Sequence, residues 1–361
     1  EFALDPGSGL LLPSDTIAEG AQIPFAIAIR NVSTTPSDSV LVRYWITDES
    51  GFVHFLDYPK QGPLGPDEIL LDTIMIATAG YSGLNQFWIE VNPYSSATGL
   101  PDQPEQHHFN NIAQLNFFAE KDQINPVLDV TFDGRHILNE DIVSATPAIV
   151  IMLEDESPFF LLNEPADTSS FKIFLSGPEF QDRPLHFSTG ELIFEPAGEN
   201  NRCRVLYFPE FTRDGMYGLL VQARDKSGNS SGKMDYRIDF EVITRPTITE
   251  VMNYPNPFSS STQFVFTLTG TEVPDEMKIQ IMTVGGRVVR EIMGYELGML
   301  HIGRNITDYR WNGTDEFGDP LANGVYLYRV VARLNGQDLE VMHSGADVYI
   351  EKGFGKMVII R

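Results

Sequence analysis

The chain has 361 residues, 42% of them hydrophobic, which is enough for two or three domains with cores of their own. Its 50 Asp and Glu residues outnumber its 25 Lys and Arg residues. The resulting net charge of −25 argues against nucleic acid and anionic membrane surfaces as partners, because their phosphates would be repelled. No apolar run approaches the ~18 residues of a membrane span, so no transmembrane segment is predicted. The opening "EFALDPGSG" contains neither a methionine nor a signal peptide, and we expect the chain to be a piece of a longer protein or a mature fragment.

Short alternating runs of Val, Ile, Phe, Tyr and Thr, separated by Gly, Pro, Asn, Asp and Ser, follow one another along the whole chain. Helical periodicity is almost absent. This pattern is typical of antiparallel sandwiches. It predicts an all-β protein of three consecutive Ig-like antiparallel β-sandwich domains, which we place at residues 1–120, 121–245 and 246–361.

In the first domain, strands are predicted at about 23–33, 39–48, 68–76, 85–93 and 111–120. Trp45 and Trp88 lie in two of these runs, and we assign them to the core rather than to a sugar-binding platform. In the second domain, the predicted strands are 125–137, 147–156, 171–178, 202–210, 215–223 and 236–244, with a turn at Gly228 and Asn229.

The third domain is introduced by "NYPNPF", Asn253 to Phe258. Its prolines restrict φ and lack a ladder donor, so we predict that the hexapeptide leads into a strand. Strands are expected at 262–269, at 277–292 as a hairpin turning at Gly285 and Gly286, at the alternating aromatic pair Tyr326 and Tyr328, and at the terminal "GKMVIIR". Core packing is the expected role of the two tyrosines.

No catalytic constellation emerges from the residues. Cys203 is the only cysteine, which rules out an intrachain disulfide. It lies between Arg202 and Arg204 in an alternating run, and we interpret it as a packing residue rather than a nucleophile. His107 and His108 are adjacent and are assigned to a solvated loop rather than to a metal site. Phosphate-loop, serine-hydrolase and zinc-protease motifs are absent from the sequence, so the chain is predicted not to be an enzyme.

Two acidic loops, at 224–229 and 312–320, have the composition of calcium loops but not the twelve-residue spacing that ends in a bidentate Glu. Asp315 and Asp319 are expected to form Asx-type turns instead. No cofactor is predicted, and calcium binding is left open.

Four motifs in residues 246–361 carry a family resemblance: "NYPNPF", "KIQIMTVGGRVVREI", "YRWNGTDEFGDPLANGVYLYRV" and "GKMVIIR". In this order they resemble the C-terminal sorting domain of cargo of the type IX secretion system of Bacteroidetes. A related pattern occurs in the Ig-like domain of the flagellar hook-capping protein. The sequence departs from the family at Trp311-Asn312-Gly313, where Asp is usual at the second position, and through an insertion at 340–355.

The preceding blocks resemble modules of large gingipain-like cysteine peptidases of the same bacteria, and 23–33 with 85–113 is similar to a CARDB-type adhesion module. The resemblance implies a non-catalytic C-terminal part of a secreted or cell-surface protein, with any peptidase domain upstream. It implies export through the outer membrane, with the shuttle barrel and the translocon of the secretion system as partners. It names no ligand for the first two domains.

The resemblance also implies functional residues. The secretion signal is assigned to Lys356, Met357, Val358, Ile359, Ile360 and Arg361. The motif residues of the sorting domain are Asn253, Pro255, Asn256, Pro257, Phe258, Gly286, Arg287, Gly324 and Tyr326. An apolar, β-branched run at a chain terminus is suited to strand addition or pocket insertion, so we expect it to bind a partner while Lys356 and Arg361 are displayed.

Two alternatives stay open at this point. The chain could be a carbohydrate- or protein-binding adhesin, which exposed coplanar aromatic residues near "HHF" or Trp88 would favour. It could also be a component of the secretion apparatus, such as its sortase, which keeps the sorting domain attached. Cargo would lose the domain by cleavage near 244–251.

Overall fold

The structure is a computed structural model that describes residues 2–4, 16–56, 60–95, 98–341, 350–351 and 353–361. The predicted all-β class of Ig-like sandwiches is confirmed, because the described residues form strands in six sheets and three separate hydrophobic cores. The chain divides into two compact units. The first unit contains the first sandwich together with residues 156–161 and 226–229, and the second unit contains the other two sandwiches. The domain boundaries proposed from the sequence stay predictions.

The first sandwich consists of a three-stranded sheet, β1-β3-β6, and a five-stranded sheet, β2-β8-β7-β4-β5. Its core lies between the sheets, where the ring of Phe25 stacks on that of Phe87 with 4.1 Å between centroids. The strands are β1 (Phe2–Leu4), β2 (Thr16–Ala18), β3 (Gln22–Asn31), β4 (Val42–Thr47), β5 (Val53–Leu56), β6 (Ile69–Ala77), β7 (Gly83–Val91) and β8 (Ile112–Glu120).

The second sandwich pairs a sheet ordered β10-β17-β16-β12-β13 with one ordered β14-β15-β11-β9. The thiol of Cys203 lies in its core. Its strands are β9 (Val127–Phe132), β10 (Ile142–Val143), β11 (Ile149–Glu154), β12 (Phe171–Gly177), β13 (Phe180–Pro184), β14 (Leu192–Glu195), β15 (Arg202–Tyr207), β16 (Gly215–Ala223) and β17 (Tyr236–Val242), with 3₁₀ turns at Pro165–Ser170 and Phe187–Thr189.

The third sandwich pairs a sheet ordered β22-β19-β18-β25 with a sheet ordered β21-β20-β23-β27-β26. The second of these sheets has a sixth strand, β24, which pairs with β23. Trp311 and Tyr328 are its largest fully buried side chains. Its elements are β18 (Thr247–Tyr254), β19 (Gln263–Leu268), β20 (Glu276–Thr283), β21 (Val288–Met293), α1 (Gly294–Leu297), β22 (Gly303–Ile306), β23 (Gly324–Leu334), β24 (Gln337–Asp338), β25 (Glu340–Val341), β26 (Ile350–Glu351) and β27 (Phe354–Ile359). Of the predicted insertion at 340–355, residues 342–349 and 352 lie outside the described residues.

Within the described ranges, no helix is long and apolar enough to cross a membrane. The only α-helix found there, α1, has four residues.

The predicted position of "NYPNPF" before the first strand of the third sandwich is wrong. β18 already includes Asn253 and Tyr254, and it lies inside its sheet between β19 and β25. The Thr- and Val-containing passage 247–254 has good β propensity, but a bulge between Thr249 and Met252 interrupts its alternation and hides the strand in the sequence.

The assignment of Trp45 and Trp88 to the first core is also wrong. In β4 the core-facing residues are Val42, Tyr44 and Ile46, so Trp45 points to the opposite face. The alternation of β7 places Trp88 on that same outer face. The phase of each strand, rather than the size of the ring, decides the side on which it lies.

Candidate functional site at the C-terminal strand

The last strand, β27, forms part of the third sandwich. It pairs with β23 in antiparallel register, with Met357 opposite Tyr326 and Ile359 opposite Gly324. The side chains of Met357 and Ile359 are fully buried in the core, whereas Lys356 and Ile360 are exposed. The predicted signal residues therefore divide into a buried set that stabilises the domain and an exposed set that a partner can contact.

The other edge of β27 pairs with β26 at residues 354–355 and is covered from residue 356 onwards by the end of the "NYPNPF" motif. The Phe258 N–H donates to the carbonyl of Val358 at 3.0 Å, and the Ile360 N–H donates to the carbonyl of Phe258 at 2.9 Å. The Asn256 amide continues this ladder with its side chain: its Nδ2 donates to the Lys356 carbonyl at 2.9 Å, and its Oδ1 accepts from the Val358 N–H at 3.0 Å. The motif thus replaces a neighbouring strand along this edge.

The prolines explain why a side chain takes over part of the ladder. Pro257 has no N–H to donate to the ladder. The amide of Asn256 supplies one donor and one acceptor, as a peptide group does.

Buried polar contacts hold the motif from behind. The amide of Asn253 donates to Thr262 Oγ1 at 3.1 Å, and the Thr262 hydroxyl donates to the carbonyl of Pro255 at 2.9 Å. The buried ring of Phe258 packs against the indole of Trp311 at 5.6 Å between centroids. These contacts order the loop that covers β27.

Two further turns contact the terminal Arg361. Its Nη2 donates to the carbonyls of Asn312 and Gly313 at 2.6 and 3.0 Å. Its backbone N–H donates to Asn323 Oδ1 at 2.9 Å, while Asn323 Nδ2 donates to the Arg361 carbonyl at 3.1 Å. Gly313 has φ of +74°, and a Cβ there would lie 2.7 Å from Arg361 Nη2, so both the backbone and the close approach favour glycine. We call this set of contacts around β27 the C-terminal clasp.

The remaining motif residues, Gly286, Arg287, Gly324 and Tyr326, lie at the end of the sheet where β20 ends and β23 begins. Thr283, at the end of β20, is opposite Tyr326. It begins the turn at Gly286, whose φ is +85°, and Arg287 is exposed there. The Tyr326 hydroxyl donates to the carbonyl of Ala322 at 2.9 Å, which closes the turn before β23. β23 and β20 separate the Gly286 turn from β27.

One feature of the predicted mechanism is corrected by this geometry. The terminal run was expected to suit strand addition or pocket insertion, but strand addition finds no free edge at 356–359, whose backbone pairs with β23 on one edge and with 256–258 on the other. The side chains of Lys356 and Ile360 stay exposed on this strand and just beyond it.

Several residues that build the clasp were not predicted from the sequence to be functional: Trp311, Asn312, Gly313, Thr262 and Asn323. Four of them stand inside or beside the motifs that carried the resemblance. Asparagine next to glycine in "WNG" and "ANG" is a turn signal, but a turn signal does not reveal what the turn will contact.

The other candidates take structural roles. Cys203 is fully buried, and burial raises the pKa of its thiol to about 11, which suits a packing residue. Oδ1 of Asp315 accepts from the N–H groups of Phe317 and Asp319 at 2.9 and 3.0 Å, which is the expected Asx turn. His108 Nδ1 lies 3.3 Å from the hydroxyl of Tyr94.

Comparisons with solved structures give only distant similarities. The dimeric latent PorU from Porphyromonas gingivalis is 14% identical with a TM-score of 0.28, over 100% of this chain and 34% of PorU. The CARDB domain of the PF1109 protein from Pyrococcus furiosus, in complex with di-metal ions, is 17% identical with a TM-score of 0.25, over 33% of this chain and 87% of that domain. A tetra-tandem repeat from the extending region of a large adhesion protein is 12% identical with a TM-score of 0.26, over 97% and 73%.

This chain spans about a third of the length of PorU. No protein-family model matches the sequence, and no curated protein matches it either. At these identities and scores, the similarities carry no conclusion about what this chain does.

Proposed function

We propose that residues 246–361 are a sorting domain that directs export by the type IX secretion system of Bacteroidetes. The rest of the chain then supplies Ig-like spacer or adhesion modules in the non-catalytic C-terminal part of a secreted or cell-surface protein. The C-terminal clasp is the observation that carries this proposal. "NYPNPF", the Trp311–Gly313 turn and the turn at Asn323, which all belong to the resembling motifs, contact the fourth motif at 356–361.

The clasp suggests how a partner reads the signal. Because the backbone of β27 is fully engaged, the shuttle barrel and the translocon contact the folded end of the sandwich rather than an extended tail. Lys356 offers a cationic head, and Ile360 offers an apolar side chain that is 53% exposed. The two side chains lie on the same face, four residues apart, with the half-buried Val358 between them. A partner that spans both would be oriented by the charge and would bury the apolar side chain.

Export of the full chain from a bacterium with this secretion system tests the proposal. Removing 356–361 is expected to abolish export, but it also removes Met357 and Ile359 from the core. The double variant Lys356→Ala with Ile360→Ala is sharper, since both side chains point outward and the sandwich should stay folded. We expect export to fall strongly at an unchanged Tm.

Ile306→Ala is the matched control, because Ile306 is 59% exposed on β22 of the same sandwich. It should be exported at the wild-type level. Normal export of both the truncated chain and the double variant would sink the sorting role.

Mass spectrometry of the surface protein then separates cargo from a retained component of the secretion apparatus. Within the predicted cleavage window, 244–251, a cut before β18 is the more accessible choice, because β18 begins at Thr247 and Ile248 is fully buried. Cargo should lose the last domain at 244–246, in the connection between β17 and β18. A component such as a sortase should keep it.

A further inference from the structure

The segment that connects β17 to β18, and so the second sandwich to the third, is held along its backbone by the third sandwich. The Gly270 N–H donates to the carbonyl of Ile243 at 3.0 Å. The hydroxyl of the buried Thr269 donates to the carbonyl of Arg245 at 2.6 Å and accepts from the N–H of Thr247 at 3.0 Å. The turn that follows β19 thus engages the hydrogen-bonding groups of the connection.

The second sandwich holds the same segment from its own side. Oδ1 of Asp214 accepts from the hydroxyl of Thr244 at 2.7 Å and from its N–H at 2.7 Å. The hydroxyl and the N–H of Thr244 thereby hold the pKa of the Asp214 carboxyl below its usual range. Thr244 is therefore fixed to the second sandwich, while the residues on either side of it are fixed to the third.

Direct hydrogen bonds join the two sandwiches beside this segment. The Ala145 N–H donates to the carbonyl of Gly270 at 3.1 Å, and the Ser144 hydroxyl donates to the carbonyl of Thr271 at 3.1 Å. Both sandwiches accordingly belong to one compact unit. We call the bonded set the junction; it consists of 144–145, Asp214, 243–247 and 269–271.

The two sandwiches also approach each other closely where Gly303 of β22 lies against the carbonyl of Ile142 of β10. A Cβ at Gly303 would lie 2.5 Å from that oxygen, so only glycine fits there. A cleft of about 1010 Å³ opens beside this point, and Arg135, His301 and Arg304 are among the residues that line it. The hydrophobic cores of the two sandwiches are separate. The sandwiches can therefore part at the junction without exposing either core.

We propose that the junction is a latch that protects the connection between the second and third sandwiches from proteolysis until the two sandwiches part. An extended peptide binds a protein largely through main-chain hydrogen bonds, and at 243–247 these groups are already engaged within the chain. The exposed side chains of Arg245 and Pro246 are therefore not enough to make this segment a substrate.

Once the latch is open, a protease can hydrolyse one peptide bond of the connection with one water molecule and release the third sandwich. Binding of the third sandwich by its partner supplies the opening. This cleavage step rests on the sorting function proposed above, whereas the latch itself does not.

Limited proteolysis of the full chain by proteinase K, with mass spectrometry to locate each cut, tests the latch. The rate at which a transiently opened segment is cut follows the population of the open form when reclosing is fast. A synthetic peptide of residues 239–251 has the same sequence without the fold. We expect the peptide to be cut at least about a hundredfold faster than the same segment in the folded chain.

Gly303→Ala is the sharpest variant, because its Cβ would meet the Ile142 carbonyl and push the sandwiches apart while both cores keep their side chains. It should accelerate cleavage at 243–247 about tenfold. Gly286→Ala is the matched control: φ is +85° there and +99° at Gly303, but no atom lies within 4 Å of the Cβ added at Gly286. This control should be cut at 243–247 at the wild-type rate.

Asp214→Ala opens the latch by a different route. It removes both bonds to Thr244 and should also accelerate cleavage at 243–247 about tenfold. Asp315→Ala is its control, because Oδ1 of Asp315 likewise accepts two hydrogen bonds, but within the turn at 315–319 of the third sandwich. The control should leave the cleavage rate unchanged.

Hydrogen exchange distinguishes separation of the sandwiches from fraying of the connection alone. The Ala145 amide donates across the junction to Gly270, whereas the Phe211 amide donates to the Ala145 carbonyl inside the second sandwich at 2.8 Å. In Gly303→Ala, the Ala145 amide should exchange faster than in the wild type, while the Phe211 amide stays protected.

Three results would overturn the latch. They are cleavage of 243–247 in the folded wild type as fast as in the peptide, wild-type cleavage rates in both Gly303→Ala and Asp214→Ala, and equal protection of the Ala145 amide in the wild type and Gly303→Ala. None of these measurements uses the secretion machinery. Failure of the latch is therefore distinguishable from failure of the sorting function, which the export experiments detect.

Discussion

Two aromatic pairs in this chain, Trp45 with Trp88 and Tyr326 with Tyr328, occupy opposite kinds of surface. The tyrosines are two residues apart on β23, and both point into the third core, as predicted. The tryptophans lie on neighbouring strands and point away from the first core. The difference shows that an aromatic residue in a strand is a core residue only when it shares the phase of its apolar neighbours. An aromatic residue out of phase lies on the outer face of the sheet instead.

The largest expected effect is on the free energy of unfolding, when an aromatic ring that points into a core is removed. Trp311→Ala should destabilise the third sandwich by about 3–5 kcal/mol, because it empties a fully buried site and removes the bond from Nε1 to the Thr314 carbonyl. Urea unfolding followed by circular dichroism measures the loss. If Trp311→Ala destabilised the protein no more than Phe55→Ala does, the distinction between inward-facing and outward-facing rings would be wrong.

A second, smaller effect tests the clasp around β27. Asn256→Ala removes both side-chain bonds to β27 and should cost about 1–2 kcal/mol. Hydrogen exchange of the Val358 amide should accelerate, since that N–H donates to Asn256 Oδ1. Asn256→Asp keeps the acceptor and loses the donor. Exchange of the Val358 amide in this variant should therefore be intermediate between the wild type and Asn256→Ala. Equal protection of Val358 in all three proteins would contradict the assigned pairing.

A third prediction compares two neighbouring glycines at the β20–β21 turn. Gly286→Ala should cost about 1 kcal/mol, because φ is +85° there while no atom lies within 4 Å of the added Cβ. Gly285 does not have positive φ, so Gly285→Ala should be nearly neutral. Thermal unfolding of the two variants separates the effect of backbone conformation from that of added volume.

The smallest effect is expected at Phe55, an exposed ring beside Trp45 on the outer face of the first sandwich. Phe55→Ala should change stability by about 0.5 kcal/mol or less, since the ring is mostly in solvent. The same urea experiment that detects Trp311→Ala measures it. A loss of several kcal/mol would mean that the outer face contributes to stability as the core does.

Much of the fold follows from local pattern. The alternation of 23–33, 85–93 and 215–223 predicted strands that the structure contains as β3, β7 and β16. The signal that would have oriented the tryptophans was also present: Trp45 has the phase of Arg43 and Thr47, and Trp88 that of Gln86 and Glu90. The size and apolarity of a tryptophan favour the core, whereas strand phase places both of these tryptophans on the outer face.

Other elements had too weak a signal. β5, β13, β14 and β22 have six residues or fewer, and β18 contains a bulge, so none shows a sustained period of two. These strands form because neighbouring strands pair with them, and β propensity depends strongly on that context.

Spacing along a few residues was enough to predict the all-β class, most strands, the turn at Gly286 and the inward position of Tyr326 and Tyr328. The cover that Asn256 and Phe258 form over β27, and the contact of Arg361 with the Trp311–Gly313 turn, depend on which distant segments meet in the folded domain. The physical reason is separation: the bonded residues Asn256 and Lys356 are 100 positions apart, and a local pattern holds no information about which distant edge will need a partner. That pairing is settled when the two sheets close on a shared core and the edge of β27 must find donors and acceptors.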